Sequence, residues 1–287
     1  MKFEIDFQQQ QGIAIQSSGA LLAFRTTDDK VALASANCAQ FLGEAGDNAL
    51  GQSVRDVVGC DVFHALRNVS VLPSIRKRRE YIGRYTFNDR PLDLSAIQSG
   101  DCIVVEAFDA DPDPFPSAYD VLKDVLLIQD RIQTAKDEND VFCNIITLLR
   151  TISGYDCVAV CKYLENKSEI VAKSGNSIAA FETLEVSTQL HIVPSVDQEA
   201  VQVHSLSDVD KFDLGLSGLR WPPTPSLEKL RRVGAAACVT QGVQLDDRIW
   251  GYLTFLHRSP RVPNHRTRLA LSHLQPLICA KLSSFTA

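Results

Sequence analysis

The chain of 287 residues lacks the motifs by which common catalytic and nucleotide-binding sites are recognised. It has no Walker A loop, no GxGxxG segment, no HExxH, no GxSxG and no kinase signatures. Its six histidines form no HxH or HxxxH pair, and none of its eight cysteines belongs to a CxxC pair. The sequence therefore predicts a protein that is not an enzyme and holds no metal.

Signals that would carry the chain into a membrane are missing as well. The first ten residues, MKFEIDFQQQ, contain no apolar core of a signal peptide, and no run of about 18 apolar residues occurs. The net charge of −6 gives no electrostatic reason for a nucleic-acid or anionic-membrane partner. The cysteines are scattered through apolar segments and lack the density of a disulfide framework. We therefore expect a cytoplasmic protein with reduced thiols.

Proline and aspartate are concentrated in one segment, residues 109–116, which contains three of each. Such a segment cannot continue a helix or a central strand. The chain is also long enough for two domains of ordinary size. We therefore predict a first domain at 1–110, a linker at 111–117 and a second domain at 118–287.

Hydrophobic periodicity predicts an α+β fold in both domains, each with an antiparallel sheet and flanking helices. In the first domain, strands are predicted at 20–25, 31–34, 84–88 and 102–108, and helices at 37–42 and 54–66. In the second, helices are predicted at 118–136, 138–153 and 264–283, and strands at 157–163, 169–174, 236–245 and 249–257. A hairpin turn is predicted at Asp246 and Asp247. Residues 175–225 are predicted to be irregular, and so either functional or partly disordered.

Several segments resemble a known family. Residues 14–22, AIQSSGALL, are similar to the SIQPHGALL segment of phytochromes, and residues 34–42, ASANCAQFL, to the PAS strand and helix that follow it. In the second domain, GYDCVAV at 154–160 resembles GYDRVMVY, and LRRVG at 230–234 resembles LRNMGV. The similarity continues with RIWGYL at 248–253, like LWGLI, and FLHRSP at 255–260, like CHHxxP.

The chain thus resembles the PAS–GAF module of bacteriophytochromes across nearly its whole length. The resemblance implies a PAS domain followed by a GAF domain, with the N-terminal segment threaded through a GAF loop as a knot. It also implies a pocket for biliverdin, attached through a cysteine whose place here falls near Glu4. Because the first cysteine is Cys38, the thiolate that this attachment needs is missing.

The family's pocket residues can be carried over one at a time. Ser226 stands where the family has the histidine beside the pyrrole water, and a hydroxyl cannot replace a titratable imidazole. Leu256 replaces the first histidine of the CHH pair, whereas His257 matches the second. Asp197 can be aligned with the aspartate of the PASDIP motif.

The positions that bind propionates in the family are better preserved. Arg220 matches the arginine that pairs with one propionate, and Cys238 and Thr240 match two small positions near the other. Arginine suits bidentate recognition of a carboxylate, so a tetrapyrrole such as biliverdin, bound without a covalent bond, stays open. The alternatives are a surface ion pair for Arg220 and a small buried residue for Cys238.

These observations predict a non-enzymatic signalling or regulatory protein, related to bacteriophytochromes, that holds no cofactor and acts through protein contacts. The apolar stripes of the helices at 118–136 and 264–283 favour a homodimer or a partner signalling protein as the contact. One alternative is a photoreceptor or tetrapyrrole sensor with an atypical pocket. Another is a GAF domain that binds a cyclic nucleotide or other small ligand.

Overall fold

In the computed structural model, the chain folds into two antiparallel sheets with helices packed on them. The residues described are 13–76, 79–110, 118–164, 167–175, 190–206, 214–245 and 248–286. The predicted linker at 111–117, the predicted turn at Asp246 and Asp247, and the place of the attachment cysteine near Glu4 lie outside these residues.

The strands among the described residues are β1 (Ala14–Gln16), β2 (Gly19–Arg25), β3 (Val31–Ser35), β4 (Glu80–Phe87), β5 (Arg90–Ser99), β6 (Cys102–Asp109), β7 (Cys157–Leu164), β8 (Lys167–Gly175), β9 (His191–Val193), β10 (Ala200–Ser205), β11 (Ala237–Leu245) and β12 (Arg248–His257). The helices are α1 (Cys38–Leu42), α2 (Glu44–Asp47), α3 (Val54–Val58), α4 (Cys60–Ser70), α5 (Ala118–Gln133), α6 (Glu138–Ser153), α7 (Thr224–Arg232) and α8 (His265–Thr286). Short 3₁₀ turns lie at Pro73–Arg76 and Leu214–Leu216. The first sheet has the order β1-β10-β3-β2-β6-β5-β4, and the second has the order β8-β7-β12-β11-β9.

The predicted α+β architecture is confirmed, and every predicted strand is present. The predicted helix at 54–66 is wrong as a single element, because Gly59, with φ of 83°, separates α3 from α4 in a left-handed conformation. The predicted strand at 84–88 begins earlier and stops before Asn88. Asn88 and Asp89 have φ of 46° and 60°, and they form the hairpin turn to β5, which the sequence analysis missed.

The prediction that residues 175–225 are irregular is wrong for three elements: β9, β10 and the beginning of α7. β10 leaves the second half of the chain and inserts between β1 and β3 of the first sheet. Its register pairs Ala14 with Gln202 on one side and Ser35 with Val203 on the other. The first sheet is therefore completed by a strand that lies far away in sequence.

The N-terminal strand β1 is held between the two described parts of an insertion, which are β10 and residues 214–221. The Gln16 amide donates a hydrogen bond to the carbonyl of Leu219 at 2.8 Å, and the Trp221 amide donates one to the carbonyl of Ala14 at 3.1 Å. This interlock agrees with the implied family arrangement. A knot depends on the path of residues 1–12, which lie outside the described residues.

Strand β6 is buried on both faces. Ile103, Val105 and Ala107 belong to the core between the first sheet and α1–α4, whereas Val104 and Phe108 join the main core with the second sheet. Both packing layers exclude water, which explains the nearly continuous apolar run of this strand. The two sheets thus share one core, and polar groups at their contact are removed from solvent.

Candidate functional site

Four of the six predicted site residues surround one pocket under α7. Arg220 and Ser226 come from the chain around the start of α7, and Cys238 and Thr240 come from β11. The volume of the cavity is about 20 Å³. Because one water molecule needs about 10–15 Å³ of such space, the pocket has room for one or two waters.

A fifth polar residue of this pocket, His191, was missed by the sequence analysis. It lies on β9, is 6% exposed, and places its Nε2 atom 3.3 Å from the carbonyl oxygen of Arg220. Burial, with the nearby charges of Arg220 and Arg79, lowers the pKa of His191 to about 3. The imidazole is therefore neutral at physiological pH. In the sequence, His191 is a single histidine beside apolar residues. Its strand, β9, is too short to show an alternating pattern that would predict it.

Cys238 behaves as a core residue. It is 2% exposed, and burial raises the pKa of its thiol far above the usual value. It therefore carries no thiolate, which is the form that attacks an electrophile. It belongs to an apolar cluster that lies under α7 and fills the space beside the pocket. The buried members of this cluster are Cys157, Val193, Val196, Leu227, Leu230, Ala235, Cys238 and Leu256.

Arg220 is half-buried and makes contacts within the insertion. Its Nη1 atom donates a hydrogen bond to the carbonyl of Gly215 at 2.5 Å. Its own carbonyl accepts a hydrogen bond from the side-chain Nε2 of Gln16 at 2.9 Å. Arg220 thus helps to fix the insertion against β1.

The remaining two predicted site residues lie outside this pocket. The Nδ1 atom of His257 is 3.0 Å from Asp156 Oδ2, and its ring packs edge-on against Tyr155. Asp197 forms an exposed ion pair with Arg231, with Oδ1 3.3 Å from Nε. The structure therefore does not bring His257 and Asp197 together with the other four.

The biliverdin that the resemblance implies does not fit the residues present. Pockets for organic ligands of drug size have volumes of roughly 300–1,000 Å³, against about 20 Å³ here. Ser226 has no titratable ring, and the Cys238 thiol is protonated. Among the described residues, no three His, Cys, Asp or Glu side chains are grouped so that they could hold a metal ion. Within the same ranges, no helix has the length and apolar character to span a membrane.

Comparison of the sequence with known proteins gives a match to a family model and a match to a curated protein. A family model described as a PAS fold matches residues 7–108. Cyanobacterial phytochrome A from Nostoc sp. is 24% identical over 304 residues, which cover 94% of this chain and 38% of that protein. The chain thus spans less than two fifths of the length of this curated relative.

Solved structures with the same fold come from bacterial phytochromes. The photosensory core module of the Stigmatella aurantiaca phytochrome superposes with a TM-score of 0.80 at 18% identity, covering 96% of this chain and 59% of that one. The chromophore-binding domain of a Stigmatella aurantiaca bacteriophytochrome, solved as a point mutant, gives a TM-score of 0.79 at 18% identity, covering 94% of this chain and 96% of that one. That of an unusual bacteriophytochrome from R. palustris gives 0.77 at 17% identity, covering 95% of each. The chain is therefore a bacteriophytochrome-like module with the PAS–GAF fold of these photosensory cores.

Proposed function

We propose that this module is a non-enzymatic regulatory protein that carries no bilin and acts through protein contacts. The observation that carries the proposal is the pocket under α7, which lies among residues aligned with the family's bilin pocket and has space for only one or two waters. The protonated Cys238 and the apolar cluster around it give further support. All eight cysteines are free, as is usual in a reducing compartment, which supports the cytoplasm as its location.

Mixing the purified protein with biliverdin is expected to leave the spectrum of the free pigment unchanged. We also expect no pigment to remain with the protein on a denaturing gel, because the thiol of Cys238, which faces the pocket, is protonated. The chromophore-binding domain of Stigmatella aurantiaca, treated in the same way, is the positive control. A red-shifted band that responds reversibly to light would overturn the proposal.

The proposed contact surface is the outer face of α5. Leu122, Leu126 and Leu127 are 53%, 48% and 41% exposed, whereas Ile128 and Ile132 on the inner face are buried. Leu122 and Leu126 are four residues apart and therefore lie above one another on the helix. In α8, by contrast, the apolar stripe points inward: Leu274, Ile278 and Leu282 are buried. The proposed contact surface therefore lies on α5, and α8 packs against α5 within the protein.

If this face joins two copies, the double substitution Leu122→Glu and Leu126→Glu is expected to halve the molar mass in light scattering. The reason is that two carboxylates would be buried in an apolar contact. Ile249→Glu, at a strand residue with 39% exposure, is the matched control and should leave the mass unchanged. A wild-type monomer, or a double variant that keeps the dimer mass, would contradict homodimerisation through α5.

A further inference from the structure

A second cavity, separate from the pocket under α7, lies between the two sheets. Its volume is about 60 Å³, three times that of the pocket under α7. One wall is formed by Tyr81, Asp93 and Phe108 of the first sheet, and the opposite wall includes Gln241 of β11 and Arg268 of α8. Any molecule bound here would contact both halves of the module.

Gln241 is an unusual residue at this cavity. The alternate residues on its face of β11, Val239 and Val243, are both fully buried in the main core. Gln241 is 4% exposed, and within the described part of the chain its Oε1 atom has no hydrogen-bond partner. A buried amide oxygen is stabilised by a donor, and a water, a hydroxyl or an ammonium group in the cavity would supply one.

The charged side chains at the cavity carry an excess of positive charge. Arg79 and Arg268 line it together with Asp93. Asp93 is bound by Arg84 at 2.9 Å and by Arg268 at 3.4 Å, and Arg79 is bound to Glu106 at 3.4 Å. Of the residues that line the cavity, two guanidinium groups thus lie beside one carboxylate. A carboxylate of a bound molecule would be stabilised by hydrogen bonds from these guanidinium groups.

The other walls limit the size and chemistry of a ligand. Phe108, Leu190 and Leu269 supply apolar surface. His265, whose ring centroid lies 3.8 Å from that of Tyr81, adds no charge near neutral pH, because burial lowers its pKa to about 4. At about 10–15 Å³ for each water-sized group, the cavity takes a molecule of about four to six non-hydrogen atoms.

We propose that this cavity binds a small carboxylic acid of two or three carbons that carries an α-hydroxyl or α-ammonium group. The carboxylate faces the guanidinium groups of Arg79 and Arg268, and the α substituent donates to Gln241 Oε1. The short carbon chain contacts the apolar wall formed by Phe108 and Leu190. Binding bridges the two sheets and stabilises their contact by mass action.

The test uses the full chain with glycolate, L-lactate, glycine and L-alanine as probes, by calorimetry and by the thermal midpoint. Propionate is the matched control, because it replaces the hydroxyl or ammonium of glycolate or glycine with a methyl group. We expect either the hydroxy acids or the amino acids to bind at least tenfold more tightly than propionate and to raise the thermal midpoint. The pair that binds identifies the α substituent. Equal binding of propionate, or no binding by any of the four acids, overturns the proposal.

Two substitutions locate the site. Gln241→Met removes the amide at similar length, so it should abolish the tenfold preference over propionate while the protein stays folded. Ser272→Leu fills the cavity from α8 and should abolish binding of every probe. Ser284→Leu is its matched control, because Ser284 lies on the same helix, donates the same kind of bond three residues back and is exposed. Unchanged preference in Gln241→Met, with unchanged binding in Ser272→Leu, would show that the assignment is wrong.

Discussion

Replacing Glu106 with glutamine is expected to lower the free energy of unfolding by about 3–5 kcal/mol, the usual cost of breaking a buried ion pair from one side. Glu106 lies on β6 and is fully buried, and its partner Arg79 is only 11% exposed. The other carboxylate oxygen of Glu106 accepts hydrogen bonds from the Ser217 hydroxyl at 2.6 Å and the Gly218 amide at 2.7 Å. Glutamine keeps the size of the side chain but leaves the Arg79 charge without its counter-charge.

Asp109 provides the matched control on the same strand. It pairs with Arg90 at 2.5 Å, but the two side chains are 60% and 35% exposed. An exposed pair contributes about 1 kcal/mol or less, so Asp109→Asn should change stability by no more than that. Urea unfolding near neutral pH measures both variants. Equal effects of the two substitutions would contradict a special role for Glu106.

A double variant distinguishes the loss of the ion pair from the cost of burying the Arg79 charge without its counter-charge. Adding Arg79→Met to Glu106→Gln removes both charges, and it should recover much of the stability lost in the single variant. No recovery would place the effect in the hydrogen bonds to Ser217 and Gly218. The two outcomes therefore distinguish whether the ion pair or the hydrogen bonds of Glu106 hold Ser217 and Gly218 against the first sheet.

The interlock depends on buried side chains that bind backbone groups across the chain. Gln16 is fully buried, and its Nε2 donates to the carbonyls of Ile192 at 2.5 Å and Arg220 at 2.9 Å. Glu106, on β6 of the first sheet, accepts a hydrogen bond from the Gly218 amide beside Leu219. Hydrogen bonds between protein groups therefore connect the N-terminal segment with the insertion, and this connection does not require a bilin.

Sequence periodicity revealed the elements that bury apolar faces locally, such as β6 and α6. It missed β9 and β10, because short strands with distant partners carry no local signal: Ser35 and Val203, paired in the sheet, are far apart in the chain. The strands β2, β3 and β6 consist almost wholly of apolar residues. Such runs indicate strands buried on both sides, and hence the shared core.

The candidate pocket was predictable where a strand fixes the direction of its side chains. Cys238 and Thr240 are two residues apart on β11 and face the same side, as their alignment implied. The same alternation explains why His257 lies elsewhere: Leu256, opposite Cys238, faces the pocket cluster, so its neighbour His257 faces Tyr155. His191 could not be found, because its role depends on the insertion that folds over it.

Lowering the pH from 7.5 to 5.0 is expected to reduce stability by about 2 kcal/mol through His191 alone. Its pKa in the folded protein is about 3, below the value near 6.5 of an unfolded histidine. The unfolded chain therefore binds more protons between these values, so this contribution is complete above pH 6.5 and is lost as the pH falls toward 3. His265, with a pKa lowered to about 4, acts in the same direction.

The substitution His191→Gln isolates this contribution. A glutamine amide can still donate to the Arg220 carbonyl, which lies 3.3 Å from the histidine ring, but it does not titrate. The difference in unfolding free energy between pH 7.5 and 5.0 should therefore shrink by about 2 kcal/mol in this variant. His204→Gln, at an exposed position on β10, is the control and should keep the wild-type difference. If both variants keep it, His191 gains a proton without leaving its pocket, and the pocket under α7 is more open to water than its 20 Å³ volume indicates.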